Sequence, residues 1–206
     1  MTAVGVRILH ASTDMGEFDV YVNDALCTKG LPFTAITQYM RLPAGDNWIE
    51  VYRVGDQSRA IHRRMISVRG NKCYTVCLQP KKIFVVEDSL LPKNRSSGPY
   101  LRFIHFLIKG PNMDLVNISG SCFFSNNSYM SVSPYRAVLP QNTNFSLRVS
   151  GTRKILFHSP IYRLEPNHAY SVYVMGTSPD FDLHVLIVPD RESHLHIQTK
   201  HTGKEG

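Results

Sequence analysis

The pentapeptide Val6-Arg7-Ile8-Leu9-His10 returns as Leu101-Arg102-Phe103-Ile104-His105, and in each copy an Asp follows the His by nine positions, at Asp19 and Asp114. The echo continues from Tyr39–Pro43 to Tyr135–Pro140 and from Val68-x-Gly70-Asn71-x-x-Tyr74 to Leu164-x-Pro166-Asn167-x-x-Tyr170. It closes with Val86-Glu87-Asp88 against Val188-Pro189-Asp190. The offset drifts only from 95 to 102 residues, as small loop insertions would produce. A period of about a hundred residues is too long for a solenoid repeat of roughly 20 to 50 and is the size of a domain. The chain therefore reads as two related halves.

The apolar residues within each half alternate in short bursts. Val6-x-Ile8, Phe18-x-Val20-x-Val22, Ile49-x-Val51, Ile66-x-Val68 and Tyr74-x-Val76-x-Leu78 are mirrored by Leu101-x-Phe103, Leu115–Ile118, Phe145-x-Leu147-x-Val149, Tyr162-x-Leu164 and Tyr170-x-Val172-x-Val174. This is the period of half-buried strands. Turn formers separate the bursts, among them Asn23-Asp24, Gly55-Asp56, Gly70-Asn71, Gly110-Pro111-Asn112 and Pro166-Asn167. Short strands between turns roughly every 8 to 12 residues predict an all-β chain of two tandem immunoglobulin-like or transthyretin-like β-sandwich domains. The first repeat is placed at residues 1–91, a linker at 92–99, the second repeat at 100–190 and a polar, flexible tail at 191–206. Of 206 residues, 43% are hydrophobic and 19% charged, enough apolar matter for two cores and too little charge for a disordered chain.

The segments VRILHASTDMGEFDVYVND, LPFTAITQYMRLPAG and VRGNKCYTV resemble the signature of the bacterial domain-of-unknown-function family DUF4397. Its copies read roughly HASPDAPAVDVYVNG, LPAGTYTVEV and AGKYYTV. The resemblance covers residues 6–88 well. In residues 101–190 it keeps the His, Asp, Leu-Pro and Tyr positions but replaces the polar turn with Phe106-Leu107-Ile108. It implies tandem β-sandwich modules of the kind found on secreted or cell-surface bacterial proteins, and it implies no reaction.

His10, Asp14 and Asp19, echoed by His105 and Asp114, are the candidate interaction or family-signature positions. One reading makes them a metal or acid–base site. The preferred reading has each His donating a buried hydrogen bond and each Asp satisfying backbone groups of a turn, because Asp14 faces Lys109 in the second copy and no nucleophile accompanies the pair. No catalytic residue, metal ligand set or cofactor is expected. Phosphate-binding Gly loops, His-Glu-x-x-His and Gly-x-Ser-x-Gly patterns are missing from the sequence. Phe106, Leu107 and Ile108 are a candidate apolar interface.

Cys73 and Cys77, four apart on a strand, stand about 13 Å apart along it, too far for a mutual disulfide or one shared zinc. They read as buried filler, and Cys27 and Cys122 as equivalent positions rather than a pair. A net charge of +7 without a run of five or six like charges points away from nucleic acid. No stretch reaches the roughly 20 apolar residues of a membrane-spanning helix. No signal peptide opens the sequence, so synthesis in the cytoplasm is expected. Tyr74 and Tyr170 stand where a hydroxyl ties one turn to another, and other tyrosines with Trp48 would suit a flat contact surface.

These readings converge on a non-catalytic structural or protein-interaction module of a bacterial cell, assembled into a spore or cell-surface layer, with a protein partner or self-association. A carbohydrate or cell-wall-polymer-binding module is the alternative. A metal-dependent enzyme using His10, Asp14 and Asp19 is the third reading.

Overall fold

The computed structural model describes residues 3–13, 15–88, 98–139, 141–177 and 182–190. The sequence-predicted tail at 191–206, Asp14 and positions 92–97 of the predicted linker lie outside the described residues. Among the described residues every regular element is a strand, and no helix is long and apolar enough to cross a membrane.

The first half contains β1 (Ala3–His10), β2 (Phe18–Val22), β3 (Ala25–Leu31), β4 (Met40–Pro43), β5 (Gly45–Arg53), β6 (His62–Val68), β7 (Cys73–Gln79) and β8 (Lys82–Asp88). They form two sheets, ordered β4-β1-β7-β8 and β3-β2-β5-β6. The second half contains β9 (Tyr100–Ile108), β10 (Met113–Val116), β11 (Cys122–Asn127), β12 (Arg136–Ala137), β13 (Gln141–Thr143), β14 (Ser146–Val149), β15 (Ile155–His158), β16 (Tyr162–Leu164), β17 (Ala169–Thr177) and β18 (Asp182–Pro189). Its sheets, β12-β9-β17-β18 and β11-β10-β14-β15, repeat the same order, with a short β13–β16 pair where the first half has the start of β5 against the end of β6. In both halves the opening strand pairs parallel to the penultimate one, β1 with β7 and β9 with β17.

Alternation builds one core inside each sandwich. Val4, Val6, Ile8, Phe18, Val20, Ile49, Val51, Val76 and Leu78 meet in the first, and Leu101, Phe103, Leu107, Leu115, Phe145, Leu147, Val172 and Val174 in the second. The turns follow from local chemistry. Asn23 and Asp24 both have positive φ, 50° and 63°, the backbone of a two-residue hairpin that Asn and Asp tolerate. Asn71 and Asn167 each have φ 61°, and the following tyrosines close these turns. The Tyr74 hydroxyl accepts from the Arg69 N–H and the Tyr170 hydroxyl from the Glu165 N–H, each at 3.2 Å.

A third apolar cluster lies between the halves, where the β1-containing sheet faces the β9-containing sheet. Leu9, Ala11, Cys77 and Val86 meet Ile104, Phe106, Tyr173, Met175 and Val188 there. The strands that supply it are covered on both faces, so β7 and most of β9 are buried throughout. Strand alternation divides the sequence-predicted patch accordingly: Phe106 enters this interface, Leu107 turns into the core of its own sandwich, and Ile108 at the strand end is half-buried.

Truncating Phe106, which is fully buried here, to Ala is expected to lower the unfolding free energy by about 3–5 kcal/mol. Urea denaturation measures this, and a loss below about 1 kcal/mol would mean that the two sheets do not pack as described.

Candidate functional site

Charged side chains rarely enter an apolar sheet interface, yet this one contains four. Arg7 on β1 and Arg102 on β9 are 4% and 1% exposed, and Asp88 and Asp190, which end or follow β8 and β18, are 1% and 0% exposed. Each arginine crosses to the aspartate of the other half. Arg7 Nη2 donates to Asp190 Oδ1 at 2.7 Å, and its Nη1 donates to the Pro189 carbonyl at 2.8 Å. Arg102 Nη2 donates to Asp88 Oδ1, and its Nη1 donates to the Glu87 carbonyl at 2.9 Å.

Within each half a hydroxyl completes the link. Thr75 Oγ1 accepts from Arg7 Nε at 2.8 Å and donates to Asp88 Oδ2 at 2.7 Å. Ser171 Oγ accepts from Arg102 Nε at 2.6 Å and donates to Asp190. Two tyrosines cap the cluster: Tyr39 donates to Asp88 Oδ2 at 2.7 Å and Tyr135 to Asp190 Oδ2 at 2.8 Å. Each guanidinium also lies over its own half's tyrosine ring, 4.6 Å from the centroid in both cases. The arrangement is a pseudo-two-fold clasp in which the arginine, hydroxyl and tyrosine contacts to the two aspartates recur in each half.

The electrostatics hold these groups in fixed states. Burial acts against the two arginine charges, but the fields of Tyr173, Asp88, Tyr39 and Asp190 at Arg7, and of Asp190, Tyr173, Tyr135 and Asp88 at Arg102, outweigh it. Both guanidiniums are bound to their protons more firmly than usual. Burial, aided by the Asp88 carboxylate, leaves the Asp190 carboxyl above the usual carboxylate range although Arg102 and Arg7 pull it down. Donors from Arg7, Ser171 and Tyr135 saturate its oxygens, so it is read as a carboxylate. Burial and the nearby carboxylates raise the Tyr39 and Tyr135 hydroxyls far beyond neutral pH, and burial does the same to the Cys77 thiol. This center suits fastening.

The doubled His-Asp signature lies at the far ends of the same opening strands. The Ser12 N–H donates to His10 Nδ1 at 3.2 Å, which leaves the proton on Nε2 to be donated to the Gly16 carbonyl at 2.7 Å. The ring stacks on Phe18, centroids 4.2 Å apart. His105 Nε2 reaches the Pro111 carbonyl at 2.9 Å, while its buried Nδ1 has no partner. Burial lowers both imidazoles below the ordinary histidine value. Each is a neutral staple closing the loop into the next strand.

Asp19 accepts the Gly30 N–H at 2.8 Å and the Gly55 N–H at 3.0 Å, chiefly the latter holding its carboxyl below the usual range. Asp114 accepts from Asn126 N–H, Ser150 and Arg148, and these outweigh the burial that would raise it. The carboxylates therefore pin neighbouring turns and do not meet the histidines in a shared hydrogen bond. Among the described residues no three His, Cys, Asp or Glu side chains converge as a metal would require. The four cysteines are free thiols; Cys77 lies in the inter-half cluster and Cys27, beside Met40, is pushed up to about 11 by burial.

The clasp residues were visible in the repeat as Arg7/Arg102, Tyr39/Tyr135 and Asp88/Asp190, but sequence reasoning did not single them out. The available signal was an arginine in the middle of an otherwise apolar strand, present in both copies.

Replacing Arg102 with Met is expected to cost about 3–5 kcal/mol, because Asp88 stays buried without its cation. Combining it with Asp88→Asn should cost less than the two single losses together, by at least about 1 kcal/mol. Strict additivity in urea denaturation would show that the pair is not formed. The histidines carry a pH signature. Their folded values are lowered, so between those values and about 6.5 the unfolded chain binds more protons. Stability is thus present above that range and falls as pH drops from 7 to 5. The Asp19 and Asp114 contributions, also lowered, are lost only at more acid pH. A His10→Gln/His105→Gln variant should flatten the pH 7 to 5 slope, and an unchanged slope would contradict neutral histidine staples.

Searching curated proteins gives no significant match. Among solved structures the chain is similar to the Bacillus anthracis TIE protein, with 10% identity, a TM-score of 0.28 and coverage of 84% of this chain and 34% of that one. This chain thus spans about a third of the TIE protein's length. It is similar to a family CBM26 module of Eubacterium rectale Amy13K solved with maltoheptaose, with 10% identity, a TM-score of 0.26 and coverage of 93% and 98%. It is also similar to a putative cell adhesion protein from Bacteroides ovatus, with 9% identity, a TM-score of 0.26 and coverage of 90% and 95%. Likeness at this level carries no functional argument. Residues 4–97 match the model of a domain of unknown function, DUF4397, and the first half of the chain belongs to that family.

Proposed function

We propose that the chain is a non-catalytic structural or protein-interaction module of a bacterial cell, built as one body from two clasped sandwiches and serving in a spore or cell-surface layer. The observation that supports this reading is the use to which the doubled signature is put. Both ring nitrogens of His10 and both oxygens of Asp19 bind the chain's own backbone. Asp114 is likewise occupied by Asn126, Ser150 and Arg148. Of the residues that first suggested acid–base or metal chemistry, the described ones, His10 and Asp19, fix the loops.

The clasp adds a mechanical argument. Two sandwiches joined only by a tether would move independently, whereas reciprocal buried ion pairs and an apolar interface resist both separation and sliding. A module of this kind holds its outer surfaces at a fixed mutual orientation, which is what a layer component or a two-point adaptor requires.

Immunogold labelling of the producing bacterium tests the reading. The label is expected to concentrate at the cell surface or in the spore envelope, and even dispersal through the cytosol of vegetative and sporulating cells alike would overturn that placement.

A further inference from the structure

Asp19 and Asp114 hold equivalent places in the two halves, and the strand beside each decides how its charge is met. Asp114 on β10 lies opposite Arg148 on β14, whereas Asp19 on β2 lies opposite Tyr52 on β5. Both aspartates are 4% exposed. Asp114 Oδ1 accepts from the Asn126 N–H at 2.9 Å and from Ser150 Oγ at 2.7 Å. Its Oδ2 accepts from Arg148 Nη2 at 2.8 Å and Nε at 3.2 Å. Among the described residues Asp19 receives the Gly30 N–H on Oδ1 and the Gly55 N–H on Oδ2. A carboxylate has about four acceptor positions, so each Asp19 oxygen can take one donor more.

Buried carboxylates are ordinarily paired with a cation, yet among the described residues no ion pair reaches Asp19. The field of Lys29, on neighbouring β3, acts on its carboxyl more weakly than the Gly30 and Gly55 N–H groups do. The carboxylate can also be approached. With Tyr21, Leu26, Lys29, Gly55 and Gln57 it lines a shallow depression at one end of the outer β3-β2-β5-β6 face. Tyr21 meets Tyr52 edge-on, ring centroids 5.4 Å apart, so aromatic surface flanks the carboxylate where the second half has its arginine.

We propose that this depression is the docking point for an arginine side chain of a partner protein, whose guanidinium bonds Asp19 as Arg148 bonds Asp114. The second half supplies the template, since there the same fold position meets its carboxylate with two guanidinium N–H groups. The flanking rings favour the same guest. A guanidinium is planar and weakly hydrated and settles on aromatic surface, whereas an ammonium holds its water. This chain uses that contact repeatedly: Arg7 lies 4.6 Å from the Tyr39 ring centroid, Arg102 4.6 Å from that of Tyr135 and Arg63 4.3 Å from that of Trp48. The net +7 of the chain is screened beyond about 8–10 Å in physiological salt, while Glu17 lies beside Gly30 and Asp56 adjoins Gly55. Arginine is enriched among the residues that carry protein interfaces. The inference rests on the proposed interaction role and names the chemistry its partner presents.

NMR titration of the isotope-labelled full chain with N-acetylarginine amide is the test, read at the Gly30 and Gly55 amide signals, whose N–H groups bond Asp19. Saturable shifts at both are expected, half-complete at about 1–10 mM, and the uncharged isostere N-acetylcitrulline amide should produce none. Tyr52→Arg puts a guanidinium of the chain's own where the second half has Arg148. It should weaken binding by at least about tenfold while circular dichroism shows the variant folded. Asp19→Asn should abolish the shifts; if that variant does not fold, Tyr52→Arg decides. Shifts that never saturate, an equal response to the citrulline compound, or unchanged binding in Tyr52→Arg would overturn the inference. So would N-acetyllysine amide binding as tightly, which would make this a general cation site, or free arginine binding more tightly, which would assign it to the amino acid. A chain localised to the envelope that ignores arginine would sink this inference and leave the proposed role standing; an arginine-binding chain dispersed in the cytosol would do the reverse.

Discussion

Two guanidiniums and two carboxylates lie between the sandwiches with almost no access to water, and burial alone would make each of them costly. They are tolerated because the set closes on itself. The formal charges cancel, and each guanidinium spreads its donors over a carboxylate, a carbonyl and a hydroxyl. Replacing such a set with well-packed apolar residues is often neutral or stabilising, so net stability is a weak account of its presence. Its geometry offers a better one. An apolar interface between two flat sheets can slide by a residue pair at modest cost, whereas Arg7 fits Asp190 only at one register and Arg102 fixes that register a second time.

The same duplication explains the loops. In each half the opening strand carries an arginine toward the neighbouring sandwich and, three positions later, a histidine toward its own core. Strand alternation requires this, since residues three apart on a strand face opposite ways. One short segment thereby joins the halves and anchors the turn that leads to β2 or β10. The Asp nine residues beyond the His then fixes the next turns, Gly30 and Gly55 in one half and Asn126 with Ser150 in the other. The signature is a folding device distributed over strand, turn and strand.

Much of this was legible in the residues. Alternation located the strands because each sandwich buries one face of its outer sheet, and Asn-Asp, Gly-Asn and Pro-Asn marked turns whose left-handed backbone those residues accept. The tyrosine ties after Asn71 and Asn167 were readable from spacing alone. The clasp was not, because its members lie up to 183 positions apart and nothing local distinguishes an arginine that snorkels to solvent from one that crosses an interface. The division of Phe106 from Leu107 was obscured for a related reason. A strand buried on both faces has no polar residues to reveal its phase.

The clasp also constrains where a partner can be met. It occupies the inner sheet of both sandwiches, so the surfaces left for recognition are the outer sheets and the loops at the ends. Those outer sheets descend from one repeated pattern yet differ in character: one presents Leu26, Trp48 and Met65, while the other knits Asp114 to Arg148 and Ser146 to His158. Symmetry serves the inside, where both halves perform the same contact, and asymmetry is confined to faces on which the fold makes no demand. In a body whose halves cannot reorient, a difference of that kind gives the molecule a polarity, with Trp48, Leu26 and Met65 on one outer sheet and Ile155 beside the Asp114–Arg148 pair on the other held in fixed relation. A pair of independently tumbling domains with the same surfaces would possess no such polarity, so the buried charges between the sandwiches determine what the outer faces can build.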